Sequence, residues 1–149
     1  MLCFSCVVLK ANVNELQEYV HYVAELKETF GISPSLGFAS MLSCNSVMDE
    51  MVVPYNELSI AVKGAIDLCD SYEIPVHFRH IPFCYMKGYE HKAGEMYAQN
   101  WYLTQSGDRI LALQKRSAPA CETCKMTTLC SKFPERYLGE VDDLEVRPF

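Results

Sequence analysis

The sequence predicts an α/β fold: a partial parallel (β/α) barrel of three strands and two helices, followed by a small cysteine-rich C-terminal extension. Three observations carry this expectation. Apolar runs alternate with helix-period segments through the first half, which demands parallel strands joined by crossover helices. The chain has 149 residues, 50% of them hydrophobic, enough for one domain with a small appendage. After Cys84 the character changes, and the spacing CxxCx₅C follows at Cys121, Cys124 and Cys130. The boundary is therefore drawn between residues 1–83 and 84–149.

Residues 2–9, with Val7 and Val8, form a continuous apolar run that reads as a strand buried on both faces. Met1 runs straight into that strand without a leading loop, as in a truncated chain or a piece of a longer one. Asn12 or Asn14 is placed to cap the next element, with Glu15 in its first turn. Leu16, Tyr19, Val20, Val23 and Leu26 recur at helical spacing, so residues 14–29 read as an amphipathic helix stopped by Gly31. Residues 35–42 form a second strand, weakened by Gly37. Pro54 and Asn56 open a second helix whose apolar face (Leu58, Ala61, Val62, Ala65, Ile66, Leu68, Cys69) reaches about Tyr72. Glu73-Ile74-Pro75 turns into a third strand over residues 76–81. Three strands leave open sheet edges, so further strands come from elsewhere or are absent. Beyond Cys84, residues 101–104 and 109–113 flank a Ser-Gly-Asp turn and read as a hairpin.

Net charge and cysteine use narrow the function classes. A formal charge of −6, without a basic block, argues against a general nucleic-acid binder. No stretch is long enough to span a membrane. The opening lacks a basic n-region and a cleavage site, so no signal peptide is read. Eight cysteines with a CxxC then point to a reducing, cytoplasmic compartment and to metal or redox ligands.

The chemistry centres on Cys84, Cys121, Cys124 and Cys130. Four thiolates arriving from two segments can close a tetrahedral zinc site or hold a [4Fe–4S] cluster, and spacing does not separate the two. Zinc ribbons usually use two CxxC knuckles, and this region has one. Reduced structural cysteines and disulfides are the competing readings. Cys3 and Cys6, three apart on a strand, point to opposite faces and are expected in the core. Cys69 lies on an apolar helix face and is also expected in the core, and Cys44 has no partner spacing. On the third strand His77, Arg79 and Ile81 share one face. Trp101 and Tyr102 are expected to pack the hairpin, with stacking on a substrate as the alternative.

These residues resemble the C-terminal half of a radical S-adenosylmethionine (radical SAM) enzyme. The stretches that carry the resemblance are Val7-Val8-Leu9-Lys10-Ala11-Asn12-Val13-Asn14-Glu15-Leu16, Val53-Pro54 before a helix, Ile81-Pro82-Phe83-Cys84 and the CxxCx₅C set. Tyr137, Gly139 and Pro148 complete the tail pattern. The resemblance implies the fourth to sixth barrel strands, then an extension holding one auxiliary [4Fe–4S] cluster on the four cysteines. It also implies that Ser5, Ser40 and Arg79, on the three strands, contact S-adenosylmethionine in the full-length enzyme. The signature CxxxCxxC, which holds the catalytic cluster, is not among these residues. The resemblance therefore implies a missing N-terminal barrel half or a separate catalytic subunit as partner, and a peptide or small molecule as substrate. Two readings stay beside it: a zinc-stabilised interaction domain, and an electron-transfer module acting in trans.

Overall fold

The computed structural model of the chain describes residues 2–41, 50–94, 101–103, 109–111, 115–134 and 148–149. Strands β1 (Leu2–Val8), β2 (Pro34–Ser40) and β3 (Val76–Arg79) form one sheet in the order β1-β2-β3, and both pairings are parallel. Helix α1 (Leu16–Phe30) connects β1 to β2, and α2 (Tyr55–Ser71) lies between β2 and β3. The strand–helix alternation read from the sequence is thus present, with boundaries shifted by one or two residues.

The helices form because their apolar positions recur on one side. Leu16, Val20, Val23 and Ala24 of α1 are buried, as are Leu58, Val62, Ala65, Ile66 and Cys69 of α2. Both stripes join Leu36, Phe38, Val76 and Phe78 in a single core. The register aligns Phe4 with Leu36 and Val76, and Cys6 with Phe38 and Phe78. These side chains share one sheet face, and both helices cover that face. Gly31, at φ 61°, ends α1 in the left-handed conformation that favours glycine. Lys27 of α1 reaches across the core boundary. Its Nζ donates to the Tyr72 carbonyl at 2.6 Å, just past the end of α2, where a cation suits the exposed carbonyls.

Several expectations change. The apolar run of β1 is not buried on both faces: Leu2 is 50% exposed and Val7 51%, while Val8 is buried. The reason is position. β1 is an edge strand of the described sheet; Val7 lies on the face opposite the helices, and Leu2 is the strand's first residue. Cys69 is buried in the core and Cys6, half-buried, packs against it, whereas Cys3 is exposed and departs from the core expectation. Neither Asn12 nor Asn14 caps a helix through its side chain. Asn12 instead stitches the turn after β1: Oδ1 accepts the Leu9 N–H at 2.8 Å and Nδ2 donates to the Val7 carbonyl at 3.1 Å. β3 stops at Arg79, because His80 takes φ 61°. The strand alternation ends there, and Ile81 is fully buried in the core rather than continuing the face of His77 and Arg79.

Beyond the sheet, β4 (Trp101–Leu103) and β5 (Arg109–Leu111) pair antiparallel as the expected hairpin. The Ser-Gly-Asp turn falls outside the described residues, as do Cys44, Tyr137 and Gly139; the side-chain role expected of Trp101 and Tyr102 is likewise outside what is described. β6 (Lys115–Arg116) and β7 (Phe133–Pro134) form a second short antiparallel pair. Among the described residues, no helix is long and apolar enough to cross a membrane.

Candidate metal centre

The β6–β7 pair pinches off residues 117–132, the loop that carries three of the four expected ligands. A 3₁₀ turn over Pro119–Thr123 begins it. The Cys121 N–H donates to the Ala118 carbonyl at 2.8 Å, and the Cys124 N–H to the Cys121 carbonyl at 3.2 Å. The Thr127 and Cys130 N–H groups then donate to the carbonyls of Cys124 and Met126. The loop is therefore wound on its own backbone, which returns Cys130 toward Cys121.

Cys84 arrives separately, in the 3₁₀ turn Phe83–Tyr85 that follows β3. Pro82 precedes that turn at φ −60°. The two segments meet at sulfur. The Phe83 N–H donates to Cys130 Sγ at 3.4 Å across 47 residues of sequence, and the Lys132 N–H donates to the same atom at 3.4 Å. Lys132 holds φ 57°, a left-handed backbone that a lysine adopts only at some cost. That turn aims its N–H back at the cysteine two residues earlier.

All four cysteines line one niche, walled by Phe83, Phe133, Thr127, Lys132 and Pro148. All are free thiols. Burial pushes Cys84 up to about 12; neighbouring Cys130 and Cys121 push the same way, against the N–H groups of Cys84 and Tyr85. Cys130 is also raised by burial, with Cys121 and Cys124 adding to it and the Lys132 and Phe83 N–H groups opposing. Those opposing donors matter for ligation, because N–H groups aimed at sulfur stabilise the thiolate a metal requires.

Among the described residues, no three Cys, His, Asp or Glu side chains stand at the mutual spacing one ion would need. A single tetrahedral ion with ~2.3 Å metal–sulfur bonds holds its sulfurs about 3.8 Å apart. A polynuclear cluster, with its irons at separate corners, holds them farther apart. Four thiols around an apolar niche, with two backbone N–H groups on the Cys130 sulfur, are the donor type that a zinc ion and an iron–sulfur cluster both use.

The other expected site residues divide. Ser5 aligns with Gly37 and His77, and Ala39 with Arg79. Ser5 and Arg79 therefore share the sheet face opposite the helices. Ser40 aligns with Val8 and lies on the helix side, buried, with its hydroxyl donating to the Met41 carbonyl at 3.3 Å. It is not brought together with the other two. On the polar face, a Cβ at Gly37 would stand 2.7 Å from His77 Nε2, and one at Gly94 would stand 2.8 Å from His77 Cδ2 and 3.0 Å from Arg79 Nε. The glycine that weakens β2 as a strand is what lets the imidazole lie against it. Arg79 Nε is buried and meets no acceptor among the described residues.

Sequence reasoning missed the Phe83 amide and Lys132 as sulfur donors. Lys132 sits at a position two residues after a cysteine where such a donor belongs. A lysine gives no hint of the positive φ, as a glycine would. No family model matches the chain, and neither a curated protein nor a solved structure matches it.

Proposed function

We propose that the chain binds a [4Fe–4S] cluster through Cys84, Cys121, Cys124 and Cys130, as the auxiliary-cluster portion of a radical SAM enzyme. The observation that carries this reading is the hydrogen bond from Phe83 N–H to Cys130 Sγ, which ties the Cys84 turn to the CxxCx₅C loop around one niche. When bound, such a cluster supplies a one-electron redox centre. The chain's own residues do the rest. The four thiols would ligate, the Phe83 and Lys132 N–H groups would donate to the ligated Cys130 sulfur, and Phe83 and Phe133 would limit water at the sulfurs.

In this reading the three-stranded sheet is part of a (β/α) barrel, and its polar face is the barrel interior. Ser5 and Arg79 are then placed to meet S-adenosylmethionine in the full-length enzyme, whereas Ser40 is not retained. The edge of β1 is where the remaining strands would join, from an N-terminal barrel half or a catalytic subunit. The oxidoreductase or modifying activity, its peptide or small-molecule substrate and the cytoplasmic setting belong to that larger assembly.

The test is anaerobic reconstitution of the 149-residue chain with iron, sulfide and a reductant. A brown protein with four irons per chain and a cubane electron paramagnetic resonance signal is expected. A colourless protein that takes up one zinc instead would establish the zinc-stabilised interaction domain. The reconstituted chain is further expected to yield no 5′-deoxyadenosine from S-adenosylmethionine, since four thiolates close every iron. Catalytic production would show that these cysteines serve the other role. Restored turnover with a separate catalytic subunit would identify an electron-transfer module acting in trans.

A further inference from the structure

The niche has one wall that comes from far along the chain. Pro148 lines it beside Cys84 and Cys130, and Lys87 holds that residue in place. Lys87 Nζ donates to the Pro148 carbonyl at 3.1 Å and stands 4.9 Å from the centroid of the Phe149 ring. Phe149 itself is half-buried against the edge of the core. Lys87 lies three residues after Cys84, just past the 3₁₀ turn that presents this thiol. One cation therefore couples the Cys84 turn to the Pro148-Phe149 dipeptide through a charge-assisted hydrogen bond and a cation–π contact.

No other described residue is fastened through Lys87, and both of its contacts are on the solvent side. Their loss leaves the dipeptide held only by the partial packing of Phe149 on the edge of the core. A contact of this strength is modest, so the cover opens often.

We propose that Pro148 and Phe149, strapped down by Lys87, form a cover over the four-cysteine niche that controls the access of water-borne reagents to the sulfurs. Lys87 acts as a positioning residue, since it reaches the niche only through the dipeptide it holds. The identity of the bound group rests on the cluster reading, but the cover itself is a statement about the thiols.

The test uses the full chain with Lys87→Met, Lys87→Arg and Phe149→Ala. In the metal-free chain, iodoacetamide labelling of Cys84 and Cys130, followed by mass spectrometry, should run roughly fivefold faster in Lys87→Met and Phe149→Ala. Lys87→Arg, which keeps the donor and the cation, should label at the wild-type rate. Labelling of exposed Cys3 is the internal control and should not change. In the iron-loaded chain, the same two variants should start with the wild-type iron content and lose iron to a chelator faster by a similar factor. Equal labelling rates in all four proteins would overturn the cover. Faster labelling in a chain that takes up no iron would keep the cover and overturn the cluster reading.

Discussion

Six of the seven residues of β2 are buried, whereas the loop between β6 and β7 buries little: Ala118, Cys121 and Ser131, with Phe133 at its end. The first region is held by apolar surface removed from water on one side of a sheet. The second is held by backbone turns and by what it leans on. Phe133 packs on Tyr55 at 5.8 Å and on Tyr85 at 6.3 Å, and Met126 also leans on the core, so the loop borrows the core of the sheet half. A loop with so few apolar residues cannot offset its own ordering entropy through burial. A metal crosslink is the interaction that does so in small cysteine-rich segments. On the proposed cluster reading, the sheet half should fold without metal and the loop should depend on it.

The largest effect that would break this contrast is in the sheet. Phe38→Ala, at a fully buried position of β2, should cost about 3–5 kcal/mol and unfold both regions together. Urea denaturation followed by circular dichroism measures it. A cost below ~1 kcal/mol would mean that the sheet is not the folding core.

Cys130→Ser should do the opposite. Iron binding should fall from a full cluster to near none, because the variant loses the ligand that receives both N–H donors. The metal-free unfolding free energy should stay within ~1 kcal/mol of wild type. A variant with full iron and sulfide content would remove Cys130 from the ligand set.

Alkaline pH should separate the regions by sign. Burial pushes Cys69 up to about 12 from 9.0, with Asp70 adding to the rise and Lys92 opposing it. The folded value is above the unfolded one, so the Cys69 contribution is fully present below pH about 9 and is lost as pH climbs toward 12. Metal-free chain should therefore unfold at lower urea at pH 10.5 than at pH 8, and Cys69→Ala should reduce that dependence, leaving the part that Cys84 carries in the same direction. Metal uptake by the niche should strengthen with pH over the neutral range, since ligation releases thiol protons. A pH profile unchanged by Cys69→Ala would locate the titration elsewhere.

The smallest change expected is at Lys132. Lys132→Gly should stabilise the loop by up to about 1 kcal/mol, because glycine adopts the positive φ without a Cβ clash. The N–H to Cys130 is kept, so iron content should not fall. Lys132→Val should lower it. Iron retention during mild heating compares the three proteins, and equal retention would show that the φ of 57° carries no strain.

Much of this was readable in advance, for identifiable reasons. Helical spacing of Leu16, Val20 and Val23, and of Leu58, Val62 and Ile66, announces two one-sided helices. Alternation with apolar runs announces the parallel sheet. The spacing of Cys121, Cys124 and Cys130 needs no structure to be noticed. What misled was local identity without neighbours. The apolar run of β1 reads as a central strand, but no residue in it states that it lies at an edge. Asn12 has the chemistry of a cap and spends it on Leu9 and Val7. Ser40 and Ser5 look equivalent until the register sets them on opposite faces.

The sequence by itself determined the element types, the core side of each helix and the set of cysteines, because periodicity and spacing are local properties. Only the tertiary structure decided which face of the sheet the helices cover and which amides point at Cys130. It also decided that a lysine after Cys84 holds Pro148 over the niche. Each of those depends on pairs far apart in the chain. Such pairs are fixed by register, by a few left-handed residues and by shared packing against one core, and none of these is written in a local pattern.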